Sequence, residues 1–230
     1  MLAEQRMELK KTSRTIGILM LVMAAIAPFG MIFVPSTLVG SGDVAELAQN
    51  VGESAGLLRL AIASSGIIFL IEIVLVGLLY RLLKPVNETW SSISAFARLA
   101  MTVLQGVNLI NLVVIQVLLS GSGFLAAFEP AQLAGLALAF FKVYEVVILI
   151  WGLSFGLHLA VSGWLVFKSG YLAKFAGVAL LVASACYFIQ SFGTILLPQY
   201  QSAFAIVGYF SMVELVFPIW LLVKGIKAEA

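Results

Sequence analysis

The sequence predicts an all-α, polytopic membrane helix bundle with six transmembrane helices and both termini in the cytoplasm. Of its 230 residues, 62% are hydrophobic and 10% are charged, whereas soluble domains are about 45–50% apolar and about 25% charged. Six apolar runs are each long enough for a helix to cross a hydrocarbon core of about 30 Å. We therefore expect residues 1–230 to form a single integral membrane domain that contacts membrane lipids.

The predicted spans follow one another with short polar or Gly- and Pro-rich links. A helix rises about 1.5 Å per residue, so one crossing needs about 20 apolar residues. The first run follows a basic segment, as a signal peptide does, but it is longer than a signal core and has no clear cleavage site, so we expect it to be retained. The runs lie at about 15–38, 57–82, 93–119, 143–167, 174–196 and 203–223.

Basic residues predict the orientation of the bundle. Six spans place ten of the thirteen lysines and arginines on one side, near span ends, and the acidic residues of the other links on the opposite side. Cytoplasmic loops carry an excess of Lys and Arg, so this side is predicted to be cytoplasmic. The basic residues are Arg6, Lys10, Lys11, Arg14, Arg81, Lys84, Lys168, Lys174, Lys224 and Lys227; the acidic ones are Asp43, Glu46, Glu53 and Glu129.

The two longer outer links predict additional helical structure. In DVAELAQNVGESAG, Asp43 and Glu46 have capping-box spacing, which predicts a short outer helix. The link FEPAQLAGLALAFFKVYE is unusually apolar, and Pro130 suits a first helical position. Residues 130–142 therefore form either an interfacial helix or an early start of the fourth span.

Prolines predict irregular helix geometry in the first and sixth spans. Pro28 and Pro218 lack the backbone N–H that would bond to the carbonyl four residues earlier. The carbonyls of Ala24 and Glu214 therefore lose their usual partners, and kinks are expected at both places.

The third span carries a polar stripe. At about 100° per residue, Arg98, Gln105 and Gln116 fall within about 20° of one another, with Thr102 beside them and Asn108 about 80° away. Lipid cannot satisfy such groups, and charges deep in a membrane are costly. The stripe is predicted to face other helices or a water-filled cavity.

Ionisable residues from four spans share one predicted depth. A rise of about 1.5 Å per residue places them in a layer slightly cytoplasmic of the membrane midplane. They are Glu72, Arg98, His158 and Glu214. With the adjacent amides, the candidate ligand-binding residues are Glu72, Arg98, Gln105, Asn108, His158 and Glu214.

This layer has a functional and a structural interpretation. In the first, Arg98 holds an anionic group or Glu72. His158 and Glu214 then bind or relay a proton, metal or ligand. In the second, Arg98 pairs with Glu72 as a tie between helices, and His158 pairs with Glu214 or an asparagine.

Other chemistries have weaker support. Glu72, His158 and Glu214 lack a local spacing signature such as HExxH, so we predict no metal site. One histidine supplies at most one haem ligand, and no catalytic or cofactor-binding residue can be assigned. The basic residues are dispersed, which argues against nucleic-acid binding. Cys186 is the sole cysteine, so an intramolecular disulfide is excluded.

Two further patterns indicate local contacts. Lys142 and Glu145 are three residues apart near the outer surface and predict a partly solvated ion pair. Gly152, Gly156 and Ala160 form a small-residue face suited to close helix packing. That contact lies either within one chain or between chains, so a homo-oligomer is one expectation.

The run LLYRLLKPVNETWSSISAFARLAMTVLQGVNLINL is distinctive. With GDVAELAQNV, HLAVSGWLVFKSGYLAKFAGVALLVASACYF and ELVFPIWLLVKG, it resembles the bacterial membrane family called domain of unknown function 4386. The resemblance extends from about Arg14 to Gly225. It implies six helices and a bacterial cytoplasmic membrane, and it implies no reaction or site residues.

Three functions fit these observations. The first is a protein that binds or transports a small ligand through the intramembrane polar pocket. The second is a membrane-embedded enzyme that acts on a lipid or quinone head group, with His158 as the acid or base. The third is a structural or regulatory interaction protein in which the buried charges set helix register.

Overall fold

The computed structural model describes residues 3–40 and 44–226. Within these residues all regular structure is helical, which confirms the predicted all-α class. The α-helices are α1 (Ala3–Pro28), α2 (Val34–Val39), α3 (Val44–Glu53), α4 (Ala55–Leu83), α5 (Glu88–Leu118), α6 (Pro130–Lys168), α7 (Lys174–Leu196), α8 (Gln201–Phe210) and α9 (Val216–Val223). The shorter segments are π-helical Phe29–Phe33 and 3₁₀-helical Gly123–Leu125, Pro198–Tyr200 and Ser211–Leu215.

Six helical segments of the described chain are long and apolar enough to cross a membrane, as predicted. They are Arg6–Pro28, Ala55–Leu83, Glu88–Leu118, Pro130–Lys168, Lys174–Leu196 and Pro198–Val223. Many large apolar side chains of these helices are exposed, including Leu70, Phe96 and Val223. In a membrane protein such a surface contacts lipid, so its exposure is expected.

The fourth span begins early. α6 is one continuous helix of 39 residues, about 58 Å long at 1.5 Å per residue. Residues 130–142 therefore belong to the spanning helix. The side-chain oxygen of Gln132 accepts a hydrogen bond from the Glu129 backbone N–H at 3.0 Å, which closes the first turn as a capping box does. Pro130 occupies the first helical position, where its missing N–H has no cost.

Both prolines lie next to non-α geometry, and the predicted kinks stay predictions. Pro28 ends α1 and is followed by the π-helical residues Phe29–Phe33. Pro218 lies in α9, the helix that follows the 3₁₀ segment Ser211–Leu215. Because Pro218 has no backbone donor, a changed hydrogen-bond spacing in the turn before it is expected.

The predicted outer helix is α3. Leu47 and Val51 on one of its faces are buried. The side-chain amide of Asn50 donates to the carbonyls of Thr37 and Leu38, both at 3.3 Å, and so joins α3 to the end of α2. The proposed capping residue Asp43 lies outside the described residues.

The chain folds into two compact units. The first, unit 1, contains Met1–Met23, Ile71–Thr102 and Leu149–Ala230. The second, unit 2, contains Ala24–Leu70 and Val103–Ile148. Each unit has its own buried apolar cluster. The helices α1, α4, α5 and α6 each contribute residues to both units. A single integral domain stays a prediction.

Tyr171 joins two parts of unit 1. It is buried in the link between α6 and α7, and its hydroxyl donates to the Leu82 carbonyl on α4 at 2.5 Å. Burial raises the pKa of Tyr171 to about 12, so the hydroxyl keeps its proton. We expect Tyr171→Phe to lower the free energy of unfolding by about 1–3 kcal/mol, because the carbonyl loses its partner.

Thermal and denaturant unfolding in detergent would measure this loss. The matched control is Tyr200→Phe, since Tyr200 is 58% exposed and surface changes usually stay within about 0.5 kcal/mol. Equal stability of the two variants would contradict a role for the Tyr171 hydrogen bond.

Candidate functional site

Three predicted site residues meet inside unit 1. Arg98 on α5 lies between Glu72 on α4 and His158 on α6, and all three side chains are buried. Arg98 Nη2 is 2.7 Å from Glu72 Oε2, an ion pair whose side chains are 1% and 3% exposed. The predicted tie between Glu72 and Arg98 is therefore present.

The hydrogen bonds of His158 define its protonation. Its Nε2 is 3.0 Å from Arg98 Nη1, and a guanidinium can only donate. Nε2 therefore accepts and carries no proton. Nδ1 lies 3.0 Å from the Ser94 carbonyl, which can only accept, so the proton is on Nδ1. His158 is a neutral imidazole with both nitrogens engaged.

Ser94 and Ser162 complete this network, although the sequence pattern did not single them out. Ser94 Oγ is 2.8 Å from His158 Nδ1 and 2.7 Å from Ser162 Oγ. Helical spacing is the sequence signal that could have identified these two serines. Ser94 lies four residues before Arg98 and Ser162 four residues after His158, which places each pair on one helix face.

An aromatic cluster borders the charged residues. The guanidinium carbon of Arg98 is 5.8 Å from the centre of the Phe155 ring, within cation–π range. The His158 ring stacks on Phe155 at 5.9 Å. The ring centres of Trp151 and Tyr187 each lie 5.0 Å from the ring centre of Phe155, and they lie 6.0 Å from each other.

Glu214 lies at the opposite end of this cluster. Its Oε1 accepts a hydrogen bond from the Tyr187 hydroxyl at 3.3 Å. Among the described residues, the side-chain partners of His158 are Arg98, Ser94 and Ser162. The hypothesised tie from His158 to Glu214 or an asparagine is therefore replaced by a tie to arginine and serine.

Gln105 and Asn108 belong to unit 2. Asn108 Nδ2 donates to the Tyr144 carbonyl on α6 at 3.2 Å, and Asn108 Oδ1 accepts from Asn111 at 2.8 Å. Gln105 is buried, and its Nε2 has no hydrogen-bond partner. Thr102 of the predicted stripe belongs to unit 1 and donates its hydroxyl to the Arg98 carbonyl at 2.9 Å.

Three buried polar atoms of the charged and aromatic residues in unit 1 lack a hydrogen-bond partner. Two are donors, Arg98 Nε and Trp151 Nε1, and one is an acceptor, Glu214 Oε2. Glu72 Oε2 is engaged in the ion pair with Arg98. An unsatisfied buried polar atom costs about 1–3 kcal/mol. A small molecule with both donor and acceptor groups would remove that cost.

The other sequence predictions for sites have the following outcomes. Lys142 and Glu145 form the predicted ion pair at 2.9 Å, with side chains 61% and 50% exposed. The described residues contain no group of three or more His, Cys, Asp or Glu side chains placed to hold a metal ion. Cofactor-binding and catalytic residues stay unassigned.

Comparison with known proteins identifies the family. A stretch of 74 residues is 35% identical to an uncharacterized protein of Archaeoglobus fulgidus; it covers 32% of this chain and 43% of that relative. The match thus spans under half of the relative's length. No solved structure matches the chain. A family model with the description "Domain of unknown function (DUF4386)" matches residues 15–225. Because that match covers nearly the whole chain, the protein belongs to the DUF4386 family.

Proposed function

We propose that this multi-pass membrane protein binds a small polar ligand inside the membrane. The residues that contact the ligand are Arg98, Trp151 and Glu214 of unit 1, and Glu72 and His158 hold the Arg98 guanidinium in place. The observation that carries the proposal is the set of three buried, unpartnered atoms, Arg98 Nε, Trp151 Nε1 and Glu214 Oε2, together with the buried Glu72–Arg98 ion pair. Ionisable groups within membranes are expensive and commonly mark ligand or ion pathways.

The engagement of His158 favours binding over catalysis at this residue. A catalytic acid or base must reach a substrate with a free nitrogen, directly or through one water. Both nitrogens of His158 already contact protein groups, Nε2 facing Arg98 and Nδ1 facing Ser94. His158 thus positions the Arg98 guanidinium. The atoms without hydrogen-bond partners belong to Arg98, Trp151 and Glu214.

We propose the bacterial cytoplasmic membrane as the location, with both termini on the cytoplasmic side. Two contacts within unit 1 support this orientation. Arg81, at the end of α4, forms an ion pair with Glu8 near the N-terminus. Gly225 near the C-terminus lies beside Ser13 and Lys10. The N-terminal segment, the end of α4 and the C-terminal segment are therefore neighbours. These are the segments whose basic residues predict a cytoplasmic location.

Native mass spectrometry of protein extracted gently from its own membrane would test the binding proposal. We expect the wild-type chain to carry a stoichiometric small molecule. Glu214→Gln removes a buried acceptor charge and should lose that molecule. Trp151→Phe removes a buried N–H while keeping an aromatic ring and should carry the molecule at reduced occupancy. The matched control is Glu145→Gln, because Glu145 is an exposed partner of Lys142 outside the cluster.

The contrasting results would identify the structural alternative. A bare mass for the wild-type chain, in detergent and in native lipid particles alike, would contradict the binding site. A bound molecule that Glu214→Gln, Trp151→Phe and Glu145→Gln all retain as the wild type does would also contradict the binding site. In either case the Glu72–Arg98 pair would act as a tie that sets helix register.

A further inference from the structure

The charged cluster of unit 1 has one negative charge in excess. Glu72 and Arg98 neutralise each other as an ion pair. His158 is neutral, because its Nε2 accepts from Arg98. Within residues 3–40 and 44–226, the side-chain hydrogen bond of Glu214 comes from a hydroxyl, the Tyr187 phenol. A bare carboxylate at this depth is too costly to persist, so Glu214 must hold a proton or a cation.

The local backbone at Glu214 suits an exchangeable ligand. The residue lies in the 3₁₀ segment Ser211–Leu215, which separates α8 from α9. Pro218 lies four residues later and cannot donate to the Glu214 carbonyl, so that oxygen accepts from the nearer Val216 backbone N–H instead. Discontinuous helices near the middle of a membrane place such backbone groups and side chains at ion or substrate sites.

The neighbouring aromatic residues indicate the kind of cation. Tyr187 contacts Glu214, and Trp151 and Phe155 pack against Tyr187. Aromatic faces attract organic ammonium groups, which are weakly hydrated and enter apolar surroundings more easily than alkali ions. Phe155 already borders one cation, the guanidinium of Arg98.

We infer that Glu214 exchanges its proton for a small organic ammonium cation. This inference rests on the proposed binding site and names its ligand class. On binding, the Glu214 carboxylic acid releases one proton to water and the carboxylate pairs with the ammonium group. The exchange conserves the charge of a site that also contains Glu72, Arg98 and the Tyr187 phenol.

Proton release on addition of tetramethylammonium chloride tests the exchange. The full chain is held in detergent at low buffer capacity with a pH-indicating dye. We expect wild-type protein to release up to one proton per chain, and Glu214→Gln to release none while keeping its melting temperature. Glu145→Gln serves as the control and should release as the wild type does. Trp151→Phe should keep the stoichiometry and weaken the apparent affinity about threefold, since phenylalanine binds cations less well than tryptophan.

Proton release on addition of sodium chloride at equal concentration distinguishes an alkali-ion site from an organic ammonium site. Proton release by sodium and not by tetramethylammonium would overturn the organic class. Equal release from wild type and Glu214→Gln, or no release from either, would overturn the role of Glu214. A wild-type chain that carries a molecule in mass spectrometry yet releases no proton would refute the cation inference alone. A bare wild-type mass together with absent proton release would remove the binding proposal as well.

Discussion

Replacement of Arg98 by leucine should lower the free energy of unfolding by about 3–5 kcal/mol, the typical cost of breaking a buried ion pair. The change leaves the Glu72 carboxylate buried without a positive partner, and it removes the donor to His158 Nε2. Reversible unfolding in mixed micelles, or the melting temperature in detergent, would measure the loss. The matched control is Arg81→Leu, which breaks the exposed ion pair with Glu8 and should cost at most about 1 kcal/mol.

Double variants separate the ion pair from other roles of Arg98. Replacing both Glu72 and Arg98 by leucine should recover most of the loss, because an apolar pair of similar size is often as stable as a buried ion pair. Exchange of their signs, Glu72→Arg with Arg98→Glu, should recover less, since His158 Nε2 would then face a carboxylate instead of a donor. Double variants as unstable as Arg98→Leu would contradict the ion pair as the source of the effect.

Replacement of Gly177 by valine should separate α6 from α7 and destabilise unit 1 by about 1–3 kcal/mol or more. A Cβ atom at Gly177 would lie 2.7 Å from the Gly163 carbonyl oxygen and 2.7 Å from the Phe167 backbone nitrogen. Backbone atoms cannot move aside as a flexible side chain can. The helices would have to part, which weakens contacts such as the 2.7 Å hydrogen bond from Ser184 to the Gly156 carbonyl.

The matched control is Gly77→Ala in α4. No atom lies within 4 Å of a Cβ placed there, so alanine should be neutral or stabilise the helix by up to about 1 kcal/mol. Melting curves of both variants in the same detergent would measure the contrast. A Gly177→Val protein that melts with the wild type would show that the two helices do not need this close approach.

The small-residue face of the fourth span illustrates how far sequence patterns reach. The four-residue spacing of Gly152, Gly156 and Ala160 predicted close packing without naming the partner. In the fold, Gly152 faces Ser191 and Gly156 faces Phe188, both on α7, so the contact lies within one chain. The closest approach between the backbones of α6 and α7 is further along, at Gly163 and Gly177. Spacing along one helix shows which face is small, but the crossing point depends on both helices.

The six spans were predictable because a bilayer has strict physical requirements. Helix length must match the hydrocarbon thickness, and polar side chains inside it must find partners. Counting residues therefore sufficed to find the six spans. The common depth of Glu72, Arg98, His158 and Glu214 stays a prediction drawn from the constant rise per residue of a helix.

The partners of each group required the tertiary structure. Arg98 contacts both Glu72 and His158, while Ser94 holds the other nitrogen of His158 and an aromatic residue separates Glu214 from the rest. Hydrogen bonds form only within about 3 Å and at favourable angles. The rotation and tilt of neighbouring helices decide whether those limits are met, and both come from the packing of many apolar side chains rather than from the spacing of the polar ones.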